Sequence, residues 1–188
     1  LLAYEDWWEF KSKSCGKAVD SVEVRIDSDD PLNTVGEIQA KGISLMSGYY
    51  KNDEATKAAF TEDGWMRTGD LGVLDSLGNI YIRGRSKNMI LSANGQNIYP
   101  EEIEAVVNNQ PYVIESVVID RGSSLVALVY VDSDKLAADA VNVDEQMNAL
   151  KNEVNKSMPS YSKISKVEVM DAPFEKTPKM SIKRFLYS

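Results

Sequence analysis

The sequence predicts an α+β protein built from short strands, tight turns and a few helices. Alternating apolar and polar residues, or a short apolar run between turn residues, are typical of strands. The stretches that fit this description are residues 16–26, 35–40, 71–74, 79–83, 114–121, 125–131 and 164–170. In three other places apolar residues recur at helical spacing, so strands and helices share the chain.

Each predicted helix begins at a recognisable residue. Asn52 precedes the first, over residues 53–60, and Asn142 with Glu145 forms a capping pair for the third, which runs to about residue 157. The second begins at Pro100, where proline is favoured and the acids that follow suit the helix dipole. Apolar residues of the second and third helices recur at spacings that face a core: Ile103, Val106, Val107, Met147, Leu150 and Val154.

The composition of the chain excludes several kinds of functional site. The chain has 188 residues, 43% apolar and 27% charged, which is typical of one globular domain or two small ones. It has no histidine and one cysteine, which excludes a Ser-His-Asp triad, a histidine or thiolate metal site and an internal disulfide. A net charge of −8 argues against nucleic-acid binding. No apolar run approaches the roughly 18 residues of a transmembrane segment, so we expect a cytoplasmic protein.

Residues 82–104 contain the most specific pattern in the chain. An extended run turns at Gly84, a polar segment leads to the apolar pair Met89 and Ile90, and a second turn at Gly95 leads to the helix at Pro100. Taken singly, the cations here have a plainer interpretation as solvated surface residues. The combination resembles the joint between the two domains of adenylate-forming enzymes, the family of acyl-CoA synthetases, peptide-synthetase adenylation domains and firefly luciferase. The matching residues are Gly84, Arg85, Lys87, Met89, Ile90, Gly95, Ile98, Pro100, Glu102, Ile103 and Glu104.

Two earlier blocks extend the resemblance. Residues 36–50 are similar to the family's "GEI…G…GYY" block, and residues 64–70 to its "GWxRTGD" motif. An aspartate after a glycine is also a common turn former. In the family, the aspartate of this motif holds the ribose of ATP, and a carboxylate suits that task because it accepts from both hydroxyls. The resemblance therefore implies that Asp70 binds ribose and that Arg85 is a second nucleotide contact.

The resemblance also implies a division into domains. Residues 1–86 would form a β-barrel-like subdomain, the C-terminal remnant of the family's large N-terminal domain. Residues 87–188 would form the mobile α+β C-terminal domain of this superfamily, abbreviated ANL, with Lys87 as the hinge. The chain has no glycine-rich phosphate loop and begins without methionine, so we expect a C-terminal fragment that is inactive by itself. The loop that would approach the thiol of coenzyme A consists of Ser92, Ala93, Asn94, Gly95, Gln96 and Asn97.

The end of the chain is basic. Its cations, for which we expect no acidic partner, are Lys176, Lys179, Lys183 and Arg184. Such a run is common in solvated tails, but the family ends on Pro-x-Thr-x-x-Gly-Lys-x-x-Arg, whose lysine neutralises charge as the adenylate forms. Aligning Thr177 places Met180 on the glycine and Ser181 on the lysine. Because serine cannot supply a cation, the candidates to replace the lysine are Lys179, Lys183 or a shifted register. Of these we favour Lys179 as the catalytic residue.

The resemblance is greatest to acyl-CoA synthetases of the fatty-acid type. Such an enzyme joins a fatty acid or other carboxylate to ATP, releases pyrophosphate and passes the acyl group from acyl-AMP to coenzyme A. ATP or AMP, coenzyme A and Mg²⁺ are the expected cofactors, and no metal ligand is expected in this chain. The Mg²⁺ ligands and the acyl pocket would lie in the missing N-terminal domain, which is also the expected partner. Two alternatives remain open, an amino-acid adenylation enzyme of the same superfamily and a non-enzymatic docking module.

Overall fold

The computed structural model describes residues 2–5, 8 and 10–187. The chain forms two compact units, Leu1–Lys87 and Asn88–Ser188. Both contain strands and helices, so the predicted mixture of α and β structure is confirmed. Within the described residues, no helix is long and apolar enough to cross a membrane.

The strands of the first unit are β1 (Ala3–Tyr4), β2 (Lys17–Ala18), β3 (Val22–Asp27), β4 (Gly36–Gly42), β5 (Met66–Leu74) and β6 (Ile80–Arg85). The last four form an antiparallel sheet in the order β3-β4-β5-β6. Ile26, Ile38 and Ile80 form the buried centre of one face. The expected barrel-like closure is not confirmed, because the described sheet is open, with β3 and β6 at its edges. Four strands are too few to close around a packed interior.

Helix α1 (Asp53–Ala59) lies between β4 and β5. Its N-terminus is capped as predicted, since the side-chain oxygen of Asn52 accepts the amide N–H of Ala55 at 2.9 Å.

The elements of the second unit are β7 (Ile90–Leu91), β8 (Asn97–Ile98), α2 (Pro100–Val107), β9 (Val113–Asp120), β10 (Leu125–Val131), α3 (Ser133–Ala138), α4 (Val143–Ser157) and β11 (Ile164–Val169). Three of the strands form a sheet in the order β11-β10-β9. The central strand β10 runs antiparallel to β9 and parallel to β11. Its continuous apolar sequence fits a strand buried on both faces.

Different elements cover the two faces of this sheet. On one face, the predicted residues of α2 and α4 pack against the strands, and Ile103, Leu150 and Val154 are almost fully buried. On the other face lies the C-terminal segment, residues 170–187, with Phe174 buried among strand residues and Tyr187 packed beside it. The C-terminal segment is therefore part of the core.

The sequence prediction misses α3. Asp132 caps it by accepting the amide N–H of Lys135 at 3.0 Å, and Leu136 is its buried residue. A helix of six residues is too short to show periodicity, so the capping aspartate was the available signal.

Candidate functional site

Asp70 and Arg85 lie directly opposite each other on β5 and β6. The Nη1 atom of Arg85 is 3.0 Å from the Oδ1 atom of Asp70. The same nitrogen donates to the backbone carbonyl of Thr68 at 3.0 Å. The Asp70 side chain is 33% exposed and that of Arg85 is 50% exposed. A ligand can thus reach both the carboxylate and the guanidinium from solvent.

Strand β5 bulges immediately before and at Asp70. The register between β4 and β5 shifts between Glu37 and Gln39, so that residues 68–70 stand opposite Ile38 alone. Gly69, inside this bulge, has a φ of +73°, which residues with a side chain rarely adopt. The bulge therefore depends on glycine at this position, and such irregularities commonly redirect a side chain beside a functional site.

Two side chains bind the backbone of the bulge. The hydroxyl of Thr68 donates to the carbonyl of Ile38 at 2.7 Å and accepts the amide N–H of Asp70 at 3.1 Å. The carboxylate of Glu37 accepts the amide N–H of Gly69 at 3.3 Å. Sequence reasoning identified Glu37 and Thr68 only as members of longer motifs. Their role at the bulge can be recognised only from the register of the sheet, which the sequence does not show.

A second polar cluster lies at the start of β5. The guanidinium of Arg25 stacks over the ring of Trp65 at 4.5 Å and forms two hydrogen bonds to Asp63, at 2.7 and 3.1 Å. The hydrogen bond from Arg25, with one from Thr61, lowers the pKa of Asp63 to about 2. This cluster holds the turn that precedes the "GWxRTGD" motif.

Lys87 is exposed and is the last residue of the first unit. It lies in a single turn of 3-10 helix, Ser86–Asn88, between β6 and β7. The next residue is anchored within the second unit, because the side-chain amide of Asn88 donates to Glu101 at 2.6 Å. The predicted hinge is thus a short connection with an anchored residue on its C-terminal side.

The loop from Ser92 to Asn97 connects β7 and β8 in a hairpin. The amide N–H of Gln96 donates to the hydroxyl of Ser92 at 2.9 Å, and the amide of Gly95 donates to the carbonyl of Ser92 at 2.9 Å. Gly95 has a φ of +74° and completes the turn. All six residues except Ser92 are exposed, so the loop presents its tip to solvent.

A groove of about 240 Å³ lies beside this loop in the second unit. Its apolar lining includes Ile90 and Leu125, and its polar lining includes Asp120, Tyr161 and Lys163.

The C-terminal motif forms a tight turn. The amide N–H of Thr177 donates to the carbonyl of Ser181 at 2.8 Å, and that of Met180 donates to the carbonyl of Thr177 at 2.9 Å. Met180 has a φ of +61° and is 72% exposed. The alignment on Thr177 puts Met180 on the motif glycine, and its backbone has a left-handed conformation that glycine adopts at no steric cost.

The expectation that the C-terminal cations face no acid is wrong for three of the four. Lys176 pairs with Glu115 at 2.5 Å, Lys183 pairs with Glu175 at 3.1 Å, and Arg184 pairs with Glu104. Glu104 and Glu115 lie far upstream and meet the C-terminal segment because it folds back over the sheet. Glu175 lies within the C-terminal segment itself. In the part of the chain that the structure describes, Lys179 has no ion-pair partner and is exposed.

The described residues do not fit a Mg²⁺ site. Among them, no group of three or more histidine, cysteine, aspartate or glutamate residues could hold a metal ion.

Comparison with known proteins identifies the family to which this chain belongs. The model of the AMP-binding enzyme C-terminal domain matches residues 87–187, and the chain belongs to that family. It thus carries the C-terminal part characteristic of adenylate-forming enzymes.

Individual relatives and solved structures agree with this assignment. The chain is 45% identical over 109 residues to the 2-succinylbenzoate–CoA ligase of Bacillus velezensis, covering 56% of the chain and 22% of that protein. It is 29% identical over 206 residues to the long-chain-fatty-acid–CoA ligase FadD15 of Mycobacterium tuberculosis, covering 97% of the chain and 33% of that protein. The structure of O-succinylbenzoate coenzyme A synthetase (MenE) from Bacillus subtilis, in complex with ATP and magnesium ion, matches with a TM-score of 0.79. The sequence identity is 30%, over 93% of this chain and 35% of that one. The chain therefore spans between 22% and 35% of the length of these proteins.

Proposed function

We propose that this chain is the C-terminal part of an ATP-dependent acyl-CoA synthetase of the fatty-acid type. Its family membership and its similarity to several CoA ligases support this proposal. The fatty-acid type is supported by the alignment of the fatty-acid ligase FadD15 with 97% of the chain, including both units. The succinylbenzoate synthetase MenE matches 93% of the chain, so we propose that residues outside this chain choose the acid.

The observation that carries the proposal is the exposed pair of Asp70 and Arg85. A carboxylate accepts hydrogen bonds from two vicinal hydroxyls at once, and a guanidinium keeps further N–H donors free for oxygen atoms of a nucleotide. Asp70 binds the ribose hydroxyls of ATP, and Arg85 holds the carboxylate in place while it contacts the same nucleotide.

The remaining predicted residues divide between two half-reactions. In the first, the carboxylate substrate attacks the α-phosphate of ATP, the bond to pyrophosphate breaks, and Lys179 stabilises the negative charge that develops. In the second, the thiol of coenzyme A attacks the acyl carbon and AMP leaves. The second unit turns about Lys87 between the two, so that the turn at Lys179 serves the first step and the loop from Ser92 to Asn97 serves the second.

Nucleotide binding tests the proposal. Without the contacts of a larger domain, the 188-residue chain keeps only a few charge-assisted hydrogen bonds to AMP, each of about 1.5–3 kcal/mol before the cost of association. We expect millimolar binding by NMR titration, with shifts around Gly69 and Asp70, and no pyrophosphate release from ATP with any fatty acid.

The matched variants are Asp70→Ala and, as a control, Asp20→Ala, which removes an exposed aspartate of the same unit. Binding should disappear in the first and persist in the second. Micromolar binding that survives Asp70→Ala would contradict the ribose site, and pyrophosphate release by the chain alone would contradict its dependence on a further domain.

A further inference from the structure

We infer that Glu37 and Thr68 are positioning residues that hold Asp70 in the geometry needed to bind ribose. The inference rests on the proposed function, since it concerns how that site is built. It assigns a role in nucleotide selection to two side chains that bind the backbone beside Asp70.

Glu37 holds the bulge from the side of β4. One carboxylate oxygen accepts the amide N–H of Gly69 at 3.3 Å, and the other accepts Nη1 of Arg67 at 2.8 Å. The side chain of Glu37 is only 17% exposed. A single, largely buried carboxylate therefore binds the residues on both sides of Thr68.

Thr68 holds the bulge from within. Its hydroxyl connects the carbonyl of Ile38 to the amide N–H of Asp70, at 2.7 and 3.1 Å. Its own carbonyl accepts Nη1 of Arg85 at 3.0 Å. One residue thus orients the backbone of Asp70 and the guanidinium that pairs with it.

These bonds replace those that a regular strand would make. Three residues of β5 stand opposite one residue of β4, so the amides of Gly69 and Asp70 lack their usual partners across the ladder. Side-chain oxygens of Glu37 and Thr68 take that place. If these side-chain bonds were lost, the backbone at Gly69 and Asp70 would no longer be held in the bulged conformation. The direction of the Asp70 side chain would then change relative to the ribose it is proposed to bind.

Amide hydrogen exchange in the 188-residue chain tests the hydrogen bonds of Glu37 and Thr68 to the bulge, and it needs no measurement of enzyme activity. The variants are Glu37→Met, which keeps the length of the side chain but cannot accept these bonds, Thr68→Val, and the conservative Thr68→Ser. We expect faster amide exchange at Gly69 in Glu37→Met and at Asp70 in Thr68→Val, with unchanged exchange at Val73 of the same strand. Thr68→Ser should restore slow exchange. Unchanged exchange at both amides would overturn the inference.

Nucleotide selection tests the consequence in the longer enzyme that the proposed function requires. Pyrophosphate release is measured with ATP and with 2′,3′-dideoxy-ATP, which lacks the ribose hydroxyls. For Glu37→Met and Thr68→Val we expect the KM for ATP to rise about tenfold, the effect of losing one charge-assisted hydrogen bond. The KM for dideoxy-ATP should not change. Asp20→Asn, which changes an exposed aspartate of the same unit, should change neither value.

The two ways of failing are distinguishable. An equal rise of KM for both nucleotides in Glu37→Met and Thr68→Val would show a general structural role and overturn the inference. If the unmodified enzyme does not discriminate between ATP and dideoxy-ATP, the ribose site itself is wrong, and the inference falls with it.

Discussion

Arg184 and Glu104 form an ion pair although they are 80 positions apart in the chain. The second carboxylate oxygen of Glu104 accepts the amide N–H of Val118 at 2.6 Å. One carboxylate therefore joins α2, β9 and the C-terminal segment. Burial raises the pKa of Glu104, and the guanidinium of Arg184 opposes that shift without cancelling it.

Replacing Arg184 by methionine should destabilise the second unit by about 3 kcal/mol, since it leaves a buried carboxylate without its counter-charge. Urea unfolding followed by far-UV circular dichroism measures this loss, because α2, α3 and α4 all belong to the second unit. Tryptophan fluorescence serves as the internal control. All three tryptophans precede Met66, so the transition of the first unit should not move.

The loss of stability caused by Arg184→Met should depend on pH. The pKa of Glu104 in the folded protein is raised above its ordinary value of 4.5, so ionising this carboxyl lowers the free energy of unfolding. This decrease is absent at low pH and grows as pH rises above 4.5. The loss caused by Arg184→Met should therefore shrink as pH approaches 4.5 from above, and adding Glu104→Gln should recover part of it at pH 7. Equal losses at acidic and neutral pH would contradict the role of the pair.

Met180→Gly should stabilise the second unit by up to about 1 kcal/mol. A residue with a side chain in the left-handed conformation costs roughly 1–2 kcal/mol, and glycine removes this cost. Part of the gain is lost because glycine has a greater conformational entropy in the unfolded chain. The matched control is Lys179→Gly in the same turn, where φ is not positive and glycine should destabilise. Thermal unfolding by circular dichroism compares them, and a lower midpoint for Met180→Gly would contradict the expectation.

Asp63→Asn should lower the stability of the first unit only where Asp63 is ionised. Hydrogen bonds from Arg25 and, to a smaller extent, Thr61 lower the pKa of Asp63 from 3.8 to about 2. The stability that Asp63 contributes is therefore present above pH 3.8 and is lost as pH falls through about 2. The difference in unfolding midpoint from the unmodified chain, followed by tryptophan fluorescence, should be constant at neutral pH and narrow below 3.8. Asp20→Asn, an exposed control, should show no such change, and a difference independent of pH would contradict the prediction.

Lys87→Pro in the longer enzyme should leave one half-reaction near its normal rate and slow the other by about a hundredfold, the cost of misplacing reacting groups by about 1 Å. Proline fixes φ and removes the backbone donor, whereas Lys87→Ala changes only the side chain and is the control. Pyrophosphate release times the first step, and consumption of coenzyme A from preformed acyl-AMP times the second. Equal slowing of both would indicate a folding defect and contradict the hinge.

Lys179→Ala should slow adenylation by about 10²-fold, as expected for a lost charge-stabilising group, and should leave the second half-reaction unchanged. Lys179 is exposed and has no ion-pair partner among the described residues, so its removal breaks no ion pair there. Ser181→Ala is the control and should have little effect. A large effect of Ser181→Ala with none of Lys179→Ala would reverse the assignment.

The sequence by itself determined the features that depend on neighbouring residues. Strand β10 begins and ends where its apolar run predicts, α4 begins after the predicted cap Asn142, and α2 begins at Pro100. The buried residues of α4 also follow from its spacing. Caps, turns and periodicity act over a few residues, which is why they are readable in one sequence.

Only the tertiary structure decided the features that join distant residues. The first unit has an open four-stranded sheet in place of the expected barrel. The C-terminal segment packs on β9 and β10, and its Arg184 pairs with Glu104 of α2. The tertiary structure also placed Glu37 beside Gly69, so that an ordinary strand residue supports the bulge at Asp70. The physical reason is that register and strand pairing are set by contacts between segments far apart in sequence, and local propensity carries no information about the partner.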